Sequence, residues 1–313
     1  MKNDSRKFKS GVLIHCYQNT VEGYLLFYTI SDYLVYFTIF CVLAIKYDIT
    51  IAALCQMPDH VHSSLMAKSL RSLSLFIKEV SFAYSKAINS VCKSKGGVFN
   101  RRFGSALKEG GKKARTNIIY IGNNPVERKL VEKAEQYRWN YLAYAKNKHP
   151  FSEKIIVRRA SSRIKKAMEE VKGCFNRKKA LSYNQLQRMF SKLDRLEKLQ
   201  LTDFIITTYS VIDYRVTRQL FGSIEDAISA MHSNTGNEYD IQEEFTGRTD
   251  AHYSNITAAI MHNQKVGDIH DLLALPESAR LARLRGIVRE MKIPAIQAAK
   301  YLRIPRSKID CYW

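Results

Sequence analysis

The chain has 313 residues, 46% of them hydrophobic and 25% charged, a length that is a prior for two domains and a composition that argues against wholesale disorder. Lys and Arg number 50 against 29 Asp and Glu, a net charge of +21, which favours an acidic polymer as partner, most simply nucleic acid. The cysteines, Cys16, Cys41, Cys55, Cys92, Cys174 and Cys311, are scattered without a CxxC pair, so a secreted disulfide scaffold and a cysteine-built zinc site are both disfavoured and a reduced cytosol fits better.

The charged N-terminal stretch lacks the apolar core of a secretory signal, so a cytoplasmic location is expected. Residues 12–17 are short and β-rich and predict a strand. The 13 residues 33–45 are the most apolar run. They fall below the roughly 18 to 20 needed to cross a bilayer, so a buried helix and no membrane partner are expected. Residues 49–54 predict a second strand, and residues 61–66, after the Pro58-Asp59 turn signal, a third. Apolar positions at 73, 76, 77, 80, 84, 87, 88 and 91 predict a helix over residues 70–91. This βαββα order implies an α+β domain with an antiparallel sheet flanked by helices. After Lys146 the signals are mostly helical, apart from a Ser/Asn/Thr/Gly loop near residues 233–237.

The basic charge is uneven. Residues 1–150 carry +13, residues 154–198 carry +10, residues 199–279 carry −8 and residues 280–313 carry +7. Distinct basic surfaces are therefore expected. The division read from these patterns is a first domain over residues 1–148, a basic helical linker over 149–200 and a helical domain over 201–313.

Met57-Pro58-Asp59-His60-Val61-His62 is the first segment that carries chemistry. On a strand, residues two apart share a face, so His60 and His62 can offer two imidazoles to one cation. Two ordinary sheet histidines fit the same spacing. The segment 116–126 adds Tyr120 and Asn124, which are i, i+4 and share a helix face if the helix extends that far. Thr116 is read as the N-cap of that helix, and Pro125 as its terminator. Gly122 inside it suggests a short or mobile helix. With 18 tyrosines in the chain, Tyr120 alone also fits a core position, and Asn124 also fits a cap for the next helix.

Taken together, MPDHVH at 57–62, FNRRF at 99–103, YIGNNPV at 120–126 and YRWNYLAY at 137–144 resemble the single-tyrosine HUH transposases of the insertion-sequence 200-like class. The likeness is greatest to the repeat-associated tyrosine transposases and covers about residues 10–145. It implies a ferredoxin-like HUH domain, with Tyr120 as nucleophile and His60, His62 and Asn124 as ligands of Mg²⁺ or Mn²⁺. The chain departs from the family pattern at Asp59, where Asn is usual, and at Ser63 and Ser64, where apolar residues are usual.

The reaction implied is metal-dependent nicking and strand transfer on single-stranded or hairpin DNA through a covalent 5′-phosphotyrosine. A metal bound by neutral nitrogen and oxygen donors would polarise the phosphate, although such a donor set selects no single metal. Single-stranded DNA needs cations for its phosphates and flat side chains for its bases. Phe99, Arg101, Arg102 and Phe103 supply both, with core packing the other reading of the phenylalanines. Lys112, Lys113 and Arg115 are expected on a flexible basic loop leading to Tyr120. Residues 293–309 resemble a helix-turn-helix, with Arg306, Ser307 and Lys308 opening its second helix, where groove contacts arise; a structural helical hairpin fits as well. The sequence leaves monomer and homodimer open. A non-catalytic hairpin-binding relative and an RNA-binding regulator use the same charge, but intact His60, His62 and Tyr120 favour the enzyme.

Overall fold

The computed structural model describes residues 6–233, 250, 252–263 and 268–309. Most of the loop expected near 233–237 therefore lies outside the described residues.

Strands β1 (Ile14–Asn19), β2 (Thr50–Gln56), β3 (His60–Met66) and β4 (Gly104–Leu107) form one antiparallel sheet in the order β2-β3-β1-β4. Helices α1 (Ile30–Tyr47) and α2 (Leu70–Val91) complete a βαββαβ unit, the ferredoxin-like arrangement. Helix α3 (Gly111–Glu127) follows and packs on the opposite sheet face.

Alternation along the strands divides the two faces. Ile14, Cys16, Val61 and Leu65 join the core beneath α1 and α2, where Tyr36, Phe40, Phe76 and Tyr84 are fully buried. His15, Tyr17, His60, His62 and Ser64 alternate with them and face the α3 side. The apolar run 33–45 extends to an 18-residue helix because Thr29 and Asp32 form a capping box at its start. By length and composition α1 could cross a membrane, but two thirds of it is buried in the protein. It is a core helix.

The C-terminal region is helical: α4 (Ser162–Asn176), α5 (Tyr183–Phe190), α6 (Arg195–Tyr209), α7 (Tyr214–Phe221), α8 (Ile224–His232), α9 (His252–Asn263), α10 (Ile269–Leu273), α11 (Glu277–Met291), α12 (Ala295–Tyr301) and α13 (Arg306–Ile309). Helices α4 and α5 lie within the stretch expected as a basic helical linker, and α5 and the following α6 pack on α1 with α4 behind them. Leu181 N–H donates to Thr38 Oγ1 at 3.1 Å, which ties this layer to the middle of α1. Helices α7 and α8 pack on α3. Tyr28 OH donates to the Tyr301 carbonyl at 3.0 Å, joining α12 to the segment before α1.

Candidate active site

Strand β3 puts His60 and His62 on one face, with ring centroids 4.7 Å apart at 83°. Both are buried. Asp59 Oδ1 lies 2.5 Å from His60 Nδ1. A carboxylate accepts only, so that nitrogen carries a proton, and in the neutral ring the other, Nε2, then keeps its lone pair. Burial alone would raise the Asp59 carboxyl. The adjacent His60, with Arg128 and Lys300, outweighs burial and lowers it to about 2. The departure from Asn to Asp thus gives His60 a charged orienting partner.

His62 is held in the same way from another strand. His15 Nε2 lies 3.0 Å from His62 Nδ1, with ring centroids 5.1 Å apart. His15 escapes a reading by motif because it stands alone in its strand. Only the β1–β3 register, with His62 opposite Tyr17 and Ser64 opposite His15, brings it alongside.

Tyr120 reaches this face from α3. Its ring centroid lies 5.3 Å from His62 at 82° and 5.6 Å from His15 at 67°. Asn124, one turn on, is 3% exposed, and its Oδ1 is buried with no hydrogen-bond partner among the described residues. A buried acceptor without a partner costs stability unless something satisfies it, and an amide oxygen is a donor that a divalent cation accepts. Among the described residues no group of three or more His, Cys, Asp or Glu side chains is placed to hold a metal.

Three expectations for α3 are corrected. Thr116 is not the N-cap: Gly110 is, at φ 86°, and Thr116 lies inside the helix with its hydroxyl on the Lys112 carbonyl at 3.0 Å. Pro125 does not end the helix. It falls in the last turn, and α3 runs to Glu127, so Asn124 keeps the helical spacing from Tyr120. Gly122 does not shorten the helix, which continues to Glu127. A Cβ there would meet Met231 Sδ at 2.5 Å and Leu142 Cδ1 at 3.1 Å, so glycine lets α8 approach closely. Asn123 Nδ2 donates to the Met231 carbonyl at 2.9 Å and Asn140 Nδ2 to the Gly122 carbonyl at 2.7 Å. Asn117 Nδ2 donates to Ser64 Oγ at 2.7 Å, which accounts for a polar residue at that strand position.

The YRWNYLAY motif is a brace. Tyr137 OH donates to the Gln56 carbonyl at 2.9 Å, Gln56 N–H donates to the Trp139 carbonyl at 3.0 Å, and Trp139 stacks on Tyr33 at 4.2 Å. The brace ties the tyrosine helix to the β2 edge of the sheet.

The expected DNA-contacting residues divide into several groups. Phe99 is corrected to a core residue: it is 8% exposed and packs against Tyr36 and Tyr84. Arg101 and Arg102 are exposed, while Phe103 is half-buried beneath the Arg6 guanidinium, 3.6 Å from its ring centroid. These residues line a groove of about 1000 Å³ with Lys78, Phe82 and Lys86 of α2, on the sheet side away from Tyr120. Phe82 is 68% exposed. The motif pattern missed this second wall because α2 reads as an ordinary amphipathic helix. Lys112, Lys113 and Arg115 are exposed, but on the first turns of α3 rather than on a loop. Arg306, Ser307 and Lys308 are exposed on α13, with Lys308 paired to Glu277 at 2.5 Å.

The C-terminal region also reaches the site. Asp250 is buried, its N–H donates to the Arg128 carbonyl at 3.2 Å, and its Oδ2 lies 3.9 Å from Arg128 Nη1. Burial and the nearby Asp59 push its carboxyl up to about 6, against the opposing pull of Arg128, His60 and Lys300. No local motif announces it.

Residues 27–124 match the model of the family described as Transposase IS200 like. The matched segment includes His60, His62, Tyr120 and Asn124 and agrees with the resemblance carried by the motifs. The chain is also similar to a solved structure described as "Structure of the REP associates tyrosine transposase bound to a REP hairpin". That similarity is at 17% identity and TM-score 0.39, over 45% of this chain and 82% of the other. No curated protein matches.

Proposed function

We propose that this protein, whose residues 27–124 match the IS200-like transposases, is a metal-dependent single-strand DNA endonuclease and strand transferase. It acts on hairpin or repeat DNA through a covalent 5′-phosphotyrosine. The observation that carries this reading is the meeting of Tyr120 with His62 at 5.3 Å, with His60 4.7 Å from His62; the buried Asn124 Oδ1, without a hydrogen-bond partner among the described residues, lies one helical turn from Tyr120.

His60, His62 and Asn124 would hold Mg²⁺ or Mn²⁺, through two imidazole nitrogens and one amide oxygen. Such an ion supplies Lewis-acid polarisation of a non-bridging phosphate oxygen. The Tyr120 oxygen attacks phosphorus, the Tyr–O–P bond forms, and the bond from phosphorus to the 3′ oxygen breaks. The phenolic proton is lost to solvent, and the departing oxygen takes up a proton to become a 3′-OH. Because the phosphodiester energy is kept in the tyrosyl ester, another 3′-OH can reverse the step and join strands. Sheet, helix and brace hold the reacting groups on elements rather than loops, which keeps the geometry prepared before DNA arrives.

Lys112, Lys113 and Arg115 lie at the start of the tyrosine helix, where their charges and the helix N-terminus both attract phosphate. Arg101, Arg102, Lys78 and Lys86 provide a second basic wall, with Phe82 available for an unstacked base. Arg306, Ser307 and Lys308 offer a third, separate contact. A soluble protein that works on DNA in the cytoplasm, as monomer or homodimer, fits this charge distribution.

The experiment is an incubation of the purified protein with a pool of labelled DNA hairpins and Mn²⁺. A protein–DNA adduct that survives denaturation is expected, and EDTA, His60→Ala and His62→Ala should each remove it. Undiminished adduct in EDTA would contradict the metal's role. Tight hairpin binding without adduct in Mg²⁺ or Mn²⁺ would favour the alternative, a non-catalytic hairpin-binding protein derived from a transposase.

A further inference from the structure

The cation ligands proposed above face the site only if each imidazole presents the correct nitrogen. For His60 the carboxylate of Asp59 decides this, because it can only accept. For His62 one partner is another imidazole, and two arrangements of neutral rings satisfy the 3.0 Å contact between His62 Nδ1 and His15 Nε2. In one, His62 Nδ1–H donates to His15 and His62 Nε2 keeps a lone pair. In the other, His15 donates, and His62 Nε2–H becomes a donor that cannot bind a cation.

We infer that His15 is a positioning residue that holds His62 in its Nδ1–H tautomer and so aims the Nε2 lone pair at the cation site. This rests on the reading of His60, His62 and Asn124 as ligands. The two rings are 1% and 0% exposed, so neither can turn to water instead. They are diagonal neighbours on one sheet face, a relation within reach of long side chains. The His15 ring also lies 5.6 Å from that of Tyr120. One residue of β1 thus contacts both the proposed ligand and the proposed nucleophile. A metal-bound histidine commonly donates its second N–H to such a partner, and loss of the partner costs about 10- to 100-fold in metal affinity.

The test has two parts. First, the metal-free full-length wild type is labelled with ¹⁵N-histidine, and the His62 signals are assigned by their loss in His62→Ala. Protonation of His62 at Nδ1 at neutral pH is expected. Protonation at Nε2, the form an unconstrained imidazole prefers, overturns the inference without any variant having to fold. Second, Mn²⁺ binding is titrated in wild type, His62→Ala, His15→Leu and His15→Gln. His15→Leu should weaken binding by about 10- to 100-fold. Gln, whose Oε1 can accept at the position of the lost Nε2, should restore most of it. If His62→Ala weakens binding and His15→Leu does not, the positioning role is wrong and the ligand assignment stands. If His62→Ala leaves binding unchanged, the ligand assignment itself fails.

Discussion

Gly122 sits in α3 between Tyr120 and Asn124, where an alanine would be expected to favour the helix by about 1 kcal/mol. The packing opposes that preference. With Met231 Sδ 2.5 Å and Cε 2.9 Å from the added Cβ, Gly122→Ala should destabilise the protein by about 1–3 kcal/mol through overpacking. Denaturant unfolding checks this, and a Met231→Ala background should recover part of the loss. An unchanged or raised midpoint would mean that α8 yields freely. His15 and Asp250 show why parts of the site stay hidden in the sequence. A motif records neighbours along the chain, whereas His15 reaches His62 through strand register and Asp250 approaches His60 from beyond residue 200. The shared face of His60 and His62 and the one-turn spacing of Tyr120 and Asn124 were legible from strand period two and helix spacing four, whereas their expected roles came from the family resemblance. Phe99 and Arg101 share one short motif, yet one is buried and the other exposed, because Phe99 bridges to Thr20 whereas the chain bends away at Arg101.

At the scale of elements, a buried ionic cluster joins α1 to the C-terminal helices. Asp32 is fully buried and accepts from the Tyr28 and Thr29 N–H groups at 2.8 Å and from Tyr183 OH at 2.6 Å. His270 Nε2 lies 2.9 Å from Asp32, and its Nδ1 lies 2.9 Å from Asp268. Burial pushes the His270 imidazolium down, but Asp32 and Asp268 outweigh it and raise its pKa to about 10. Burial also opposes the Asp32 carboxylate, yet His270, Tyr183 and the Tyr28 backbone lower it overall. A raised histidine stabilises the fold fully below its ordinary value of 6.5 and ceases to do so as pH climbs through the folded value. The depressed Asp32 contributes above its ordinary 3.8 and fails as pH falls through its lower folded value. Thermal melting should therefore show His270→Gln losing most relative to wild type at pH 5–6, with the gap narrowing toward pH 10. A gap that widens with pH would contradict the charged form. Strand β4 was the element least legible in the sequence: Gly-Ser-Ala-Leu has no β-branched residue, and its pairing with β1 is what makes it a strand. Helix α2 was legible throughout because its apolar stripe keeps one period from end to end.

On the scale of the whole molecule, the α+β and helical parts share a core. Leu181, Leu186, Leu201 and Tyr209 join the same buried cluster as Phe37, Phe40 and Cys41 of α1. A chain truncated after Lys148 would expose that face, so it should be insoluble or bind a hydrophobic dye strongly instead of unfolding cooperatively. A soluble, cooperatively folding 1–148 fragment would show that the helical layers are dispensable for the fold. The basic surfaces can be weighed separately in the full chain. If Arg101 and Arg102 each neutralise a phosphate of single-stranded DNA, the double alanine variant should flatten the slope of log K against log salt by about 0.7 per contact. An identical slope would remove the groove beside α2 from the DNA path.

Tyr120 is the proposed nucleophile, and Tyr120→Phe removes only its hydroxyl. Intact-protein mass spectrometry after incubation with cleavable hairpin DNA and Mn²⁺ measures the covalent product directly. Wild type should gain the mass of a 5′-phosphorylated DNA fragment. Tyr120→Phe should gain none while binding the same DNA with nearly unchanged affinity. A DNA adduct on the Phe variant, or on wild type at a residue other than Tyr120, would contradict the assignment of the nucleophile.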